Sequence, residues 1–245
     1  MNAVGIVTAM VAEARFLGAR VSRRQPRAGL RDAALVQLGG VGPEAAAAAA
    51  RELVAAGASA LVSWGMAGGL DPALRPGSLV LPGEILSHEG AVLPTSAPWC
   101  QRLGAAIGPW GEPMRGRLLT SPRPIASVAE KERLFRDTGA AAVDMESYAI
   151  AQIAAAHGVP FIAVRVIIDA AQDAVPRAVL AAMNRSGEVQ IPRLLAALAR
   201  APADLIALLH LARRYRAAGH TLTAIARSGA LVASACPDLS LARVS

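Results

Sequence analysis

The chain has 245 residues, 54% hydrophobic and 18% charged, so it can bury a large core without disulfides. Its formal net charge is +7, but only 3% of it is aromatic, too little for the stacking platforms of a nucleic-acid surface; no nucleic-acid partner is expected. Cys100 and Cys236 lack metal-ligand spacing, so neither a disulfide scaffold nor a metal site is expected, and a cytoplasmic setting follows.

No basic segment precedes an apolar one at the N-terminus, so it does not read as a signal peptide. Ala3–Ala9 reads as a first strand and Ala33–Leu38 as a second. Gly39–Gly42 is a loop, and Pro43 and Glu44 open an alanine-rich helix to about Ala56, with Gly57 after it. Ala60–Trp64 is a buried strand, ended by a glycine loop over Gly65–Gly69. Leu79–Leu86 reads as one strand, and Ala91 to Pro113 as a long loop with one short helix. Then come a strand at Arg117–Thr120, a charged helix at Ser127–Asp137, a strand at Ala140–Val143, a helix at Ser147–His157 and a strand at Pro160–Ile168. Two uncharged runs, Leu53–Leu70 and Ser147–Val164, reach the ~18 residues of a membrane span. Glycines break the first and His157 and Pro160 the second, so each reads as helix end, turn and strand.

From Val175 onward the pattern is helical, at Gln190–Ala199 and Asp204–Ala218. Leu, Ile and Ala form one face, with Arg193, Arg200, Arg213, Arg214 and Arg216 elsewhere. These helices are expected either to pack on the sheet or a second subunit, or to lie on an anionic membrane surface. Alternating strands and helices predict an α/β fold, a mostly parallel sheet covered on both faces. A catalytic domain over residues 1–200 and a helical extension over 201–245 are expected.

Ligands of such sheets bind at the carboxyl ends of the strands. Asp169 ends an apolar strand there, where desolvation raises a carboxyl pKa and suits it to donate a proton; the alternative is an N-cap for a following helix. Glu146 begins a helix and can accept hydrogen bonds from the two hydroxyls of a ribose; the alternative is capping. Glu13 follows the first strand and can bind a water and take its proton, or be a solvated first-turn residue. Arg165 lies on the last strand. Gly65–Gly69 would let a flat ring or a phosphate approach the backbone, although it is not the dinucleotide fingerprint. Together these residues suggest a two-carboxylate site for glycosidic cleavage.

At these positions the chain resembles a known superfamily. Ala141-Ala142-Val143-Asp144-Met145-Glu146-Ser147-Tyr148-Ala149-Ile150-Ala151, followed by Val159 through Asp169, looks like the signature of nucleoside phosphorylases and nucleosidases. Gly5-Ile6-Val7-Thr8-Ala9-Met10-Val11-Ala12-Glu13 looks like the start of methylthioadenosine/S-adenosylhomocysteine nucleosidases, and Gly40-Val41-Gly42 and Gly65 through Leu70 fall in the matching places. The resemblance implies a phosphorylase/hydrolase-like three-layer sandwich, a homodimer or larger assembly and no cofactor. It makes Asp169 the acid that protonates the departing purine, with Glu13 and Arg165 orienting the nucleophile. Met145 and Glu146 would hold the ribose, and Met66, Gly68 and Ile125 would complete the substrate pocket.

The chain departs from the family at Ile168 and Met66, where serine or threonine is frequent, and at Ser121–Ile125, where nucleosidases carry an aspartate. The arginine that phosphorylases place before the glycine segment is absent, leaving Arg15 as one phosphate ligand, so water is expected as nucleophile and phosphate as the alternative co-substrate. The arginine-rich tail looks like that of the hopanoid-associated phosphorylase subgroup. This implies adenine release from the lipid-linked nucleoside adenosylhopane, with peripheral contact on the inner membrane face. The alternatives are a methylthioadenosine/S-adenosylhomocysteine nucleosidase and a phosphate-dependent purine nucleoside phosphorylase.

Overall fold

A computed structural model describes residues 3–30, 34–108, 112–182, 190, 192–194, 196 and 204–235. Among them ten strands form one sheet. Its centre is β4 (Ala58–Gly69), flanked in parallel by β1 (Ala3–Thr8) and β10 (Phe161–Asp169). Beyond β1 lie β3 (Ala34–Leu38), parallel, and β2 (Arg27–Leu30), antiparallel. The far end of β4 pairs antiparallel with β9 (Ala140–Asp144) through Gly68 and Gly69. From β9 the sheet continues through parallel β8 (Arg117–Thr120) and β6 (Glu84–Ser87) to antiparallel β7 (Val92–Pro94). β5 (Leu79–Val80) closes on β10.

The period of two along β10 sorts its side chains into the two faces of the sheet. Ile162, Val164 and Val166 join one core with Trp64, Trp99 and Leu222, whereas Phe161, Ala163 and Ile167 join the other with Leu53, Leu61 and Ile150. The first core is closed by α1 (Val11–Phe16), α3 (Ala97–Ile107), α7 (Asp204–Arg227) and α8 (Ala230–Ala233), and the second by α2 (Pro43–Ala55) and α5 (Ser147–Ala156). These are the three expected layers. α4 (Val128–Thr138) covers β9, its first turn capped by Ser127 Oγ, which accepts the Glu130 N–H at 3.3 Å, and its end set by Gly139 at φ 64°. α6 (Arg177–Ala182) follows the loop after β10.

Several boundaries differ from the sequence reading. Gly65–Gly69 is strand, because β10 on one side and β9 at the end give its backbone ladder partners. The single strand expected over Leu79–Leu86 is broken into β5 and β6, with Pro82-Gly83 between them. The expected loop from Ala91 to Pro113 holds β7 and the eleven-residue α3. The helix expected over Gln190–Ala199 lies largely outside the described residues, as do Arg200 and Cys236.

The C-terminal extension packs from its middle onward. Ala218, Gly219, Leu222 and Ile225 are buried, and Thr221 Oγ1 donates to the Gly77 carbonyl at 2.9 Å. Trp99 Nε1 donates to Ser234 Oγ at 3.0 Å and ties α3 to the segment after α8. The start of α7 leaves Leu205, Ile206 and Leu209 more than half exposed. Among the described residues no helix is long and apolar enough to cross a membrane.

Candidate active site

The carboxyl ends of β1, β4, β9 and β10 converge with the loop after β8 on a cleft of about 220 Å³. Glu13, Met66, Gly68, Ile125, Met145, Glu146 and Asp169 all line it. Arg165 does not: it lies beneath the cleft, 2% exposed.

Glu13 sits in the first turn of α1 and is buried, not solvated. Its Oε2 accepts the Ala9 and Met10 N–H groups, each at 3.1 Å, and its Oε1 accepts the Met66 N–H at 3.0 Å. Burial pushes its pKa up, while Arg165 and the three N–H groups pull it back. The approach of Glu13 to β4 needs the glycine at 65. A Cβ there would overlap the Glu13 carboxylate and stand 2.6 Å from Arg165 Nη1. Gly65 therefore makes room for two protein side chains, in place of the ligand expected there.

Arg165 is a hub. Its Nε donates to Asp144 Oδ2 at 2.8 Å, and its Nη2 to Ser63 Oγ at 2.6 Å and Ser147 Oγ at 3.2 Å. Nη2 also stands 3.8 Å from Glu146 Oε2. Asp144 accepts further hydrogen bonds from Thr120 Oγ1 at 2.8 Å and from the first N–H of α5, that of Ser147. Asp144 thus caps α5, and the capping alternative for Glu146 falls. Glu146 instead reaches across to the Gly42 N–H, 3.1 Å from Oε1, and to the Met145 N–H, 3.3 Å from Oε2. Burial, then the neighbouring Asp144, pushes its pKa up to about 7.

Asp169 is not an N-cap either: Asp173 Oδ2 takes the Ala170 N–H, and α6 starts only at Arg177. Its partner is Lys131, fully buried on α4, whose Nζ donates to Asp169 Oδ2. Burial pushes the Asp169 pKa up, and Lys131 opposes it. The sequence reading missed Lys131, because a lysine in the run Val-Ala-Glu-Lys-Glu-Arg reads as solvated. The available signal is that it is the chain's single lysine. Among the described residues no group of three His, Cys, Asp or Glu side chains is placed to hold a metal ion.

β4 spaces the two ends of this machinery. Glu13 meets it at Gly65 and Met66; Asp169 stands against Gly68, where a Cβ would lie 3.5 Å from Oδ2. The two carboxyls thus meet the strand two to three residues apart, about 7–10 Å at about 3.3 Å per residue. The arrangement can supply a proton at one end and remove one at the other.

Residues 4–200 match the Phosphorylase superfamily, and the chain belongs to it. It is 27% identical to the 5′-methylthioadenosine/S-adenosylhomocysteine nucleosidase of Mycobacterium bovis, across 47% of this chain and 60% of that protein. It thus spans less than two thirds of that curated relative. The Neisseria meningitidis nucleosidase of the same name, solved with methylthio-immucillin-A, superposes with a TM-score of 0.70 at 18% identity, covering 96% of this chain and all of the other. Futalosine hydrolase of Helicobacter pylori superposes at 0.65 and 16% identity, over 93% and 96%. At such identities the superpositions show the fold alone.

Proposed function

We propose that the chain hydrolyses the N-glycosidic bond of an adenine nucleoside. The observation that carries this reading is the pairing of two buried carboxyls, Asp169 and Glu13, at the two ends of one cleft. In this reading Asp169 gives its proton to the purine ring nitrogen as the C–N bond breaks and its electron pair leaves with the base. A water oxygen bonds the anomeric carbon and loses a proton to Glu13, giving adenine and the free sugar. Glu146 accepts the ribose hydroxyls, and Arg165 holds the carboxylates from below.

Water is favoured over phosphate by the fate of the arginines. Arg123 lines the cleft but is paired with Glu130 outside it, and Arg165 is taken by Asp144, so a dianion would find little free positive charge. The apolar wall, Met10, Val41, Met66, Ile125 and Ile168, suits a large apolar 5′ substituent. Adenosylhopane is the substrate we infer, with a methylthioadenosine/S-adenosylhomocysteine nucleosidase as the second reading. No cofactor is needed for these steps.

Adenine release from adenosylhopane and from methylthioadenosine, compared at equal enzyme, tests the reading. Faster turnover of the lipid-linked nucleoside supports it; turnover of methylthioadenosine alone assigns the housekeeping activity, and adenine from neither overturns both. Asp169→Asn should cut kcat by ~10²–10⁴-fold, and a loss under about tenfold removes it as the acid. Glu13→Gln should lower kcat at little-changed KM, whereas Glu146→Gln should raise KM as well.

A further inference from the structure

The 25 basic residues include one lysine, and the fold buries it completely. An ammonium has three donors and no acceptor. Lys131 Nζ uses all three, on Asp169 Oδ2, the Ala170 carbonyl at 2.9 Å and the Asp173 carbonyl at 2.9 Å. A neutral amine has only two hydrogens for these three oxygens, so the site holds the charged form. Burying a charge is costly unless it is paired, and its one carboxylate partner is the candidate acid. Among the described residues no hydrogen bond reaches the other oxygen of Asp169, a residue that lines the cleft.

We propose that Lys131 is a positioning residue of the glycosidic cleavage: it anchors the Asp169 carboxyl by one oxygen and stabilises the negative charge that Asp169 gains when its proton passes to the leaving base. The proposal rests on Asp169 being the acid. Lys131 keeps its three protons throughout; the proton that moves is that of the Asp169 carboxyl, and the C–N electron pair goes to the base. The other charged groups facing Asp169 are Asp173 in the following loop and Arg214 on α7, themselves paired at 2.6 Å. Glu146, Asp144, Glu13 and Arg165 are the other charged groups of the cleft, with Arg123 on its wall paired to Glu130. Burial raises the Asp169 pKa and the Lys131 ammonium counters it most strongly. Removing that ammonium makes Asp169 a weaker acid that stays protonated to higher pH.

The test is the pH profile of adenine release, from adenosylhopane or methylthioadenosine, whichever the wild type turns over faster, by the whole protein and by Lys131→Met, Lys131→Arg and Asp169→Asn. Lys131→Met should lower kcat by about 10²-fold at a KM within about threefold, and move the alkaline limb of kcat to higher pH. Lys131→Arg keeps the charge and should hold the limb near its wild-type place. A merely structural lysine would cost activity without moving the limb. Because the chain has one lysine, ¹⁵N-lysine labelling gives one Nζ resonance, which reads the wild-type pair with no change at 131 and no substrate. It should show a titration step above the ordinary carboxyl range, the direction in which burial moves Asp169, that Asp169→Asn abolishes. Wild-type kcat and limb in Lys131→Met, or a lysine resonance without that step, overturns the proposal. If Asp169→Asn itself stays within tenfold of wild type, the acid assignment fails first.

Discussion

Glu146 shows how burial and a like charge act on a single side chain. In the folded protein its pKa is pushed up to about 7, above the ordinary 4.5 to which it returns on unfolding. Between those values the folded state therefore binds the extra proton, and stability from this group falls as pH rises from about 4.5 to about 7. Thermal melts across that range should show a slope in wild type that is reduced in Glu146→Gln; equal slopes would place the titration elsewhere. The acids of the cleft were legible in the sequence because each ends an apolar run or opens a helix. What sequence spacing does not carry is who partners them. Asp144 stands in the quoted signature without a role of its own, yet it caps α5 and holds Arg165. Lys131 lies 38 positions from Asp169 and meets it only through the packing of α4 on β9.

At the scale of the element, β4 carries the site. A run of glycines reads as a loop when no neighbour is in view, and the ladder partners from β10 and β9 decide otherwise. Gly65, behind the cleft wall, and Gly68, lining it, differ in what they exclude. A Cβ at 65 would overlap Glu13 and crowd Arg165, whereas one at 68 meets Val143 and Asp169 at 3.4–3.6 Å, ordinary contact. Gly65→Ala should therefore destabilise by about 1–3 kcal/mol and abolish turnover. Gly68→Ala should fold within about 0.5 kcal/mol of wild type and lose activity by narrowing the cleft. Denaturant melts beside kinetics check both, and equal stability of the two variants would contradict the account of Gly65. The split at Pro82-Gly83 was missed when Leu79–Leu86 was read as one strand, although a proline removes a ladder donor there. The strand β7 is three residues long, too short for any periodicity.

Across the whole molecule, the alternation of strands and helices gave the layered architecture, and the C-terminal extension is where pattern alone left two outcomes. Its second half is core: Leu222 and Ile225 join Trp64 and Trp99. Its first half exposes Leu205, Ile206 and Leu209, with Arg213 and Arg216 exposed further along the helix. Arg214 is not part of that basic face, because it pairs with Asp173 beside the cleft. If this face rested on an anionic membrane, as the sequence pattern allows, the two exposed arginines would add ~1 kcal/mol each and salt would weaken them. Sedimentation with phosphatidylserine vesicles should carry down the wild type at low salt and less of it at high salt, and less of Arg213→Gln/Arg216→Gln. Absence of wild-type binding, together with a dimer in light scattering that a charge on this face dissolves, as in Ile206→Glu, would assign the face to a second copy.

In the proposed reaction this cleft cleaves an N-glycosidic bond with water. This is tested most directly by turnover in phosphate-free H₂¹⁸O, with the sugar product weighed by mass spectrometry. Hydrolysis gives adenine together with a free sugar carrying one ¹⁸O. Adenine that appears only when phosphate is added, with a sugar 1-phosphate as its partner, would contradict it.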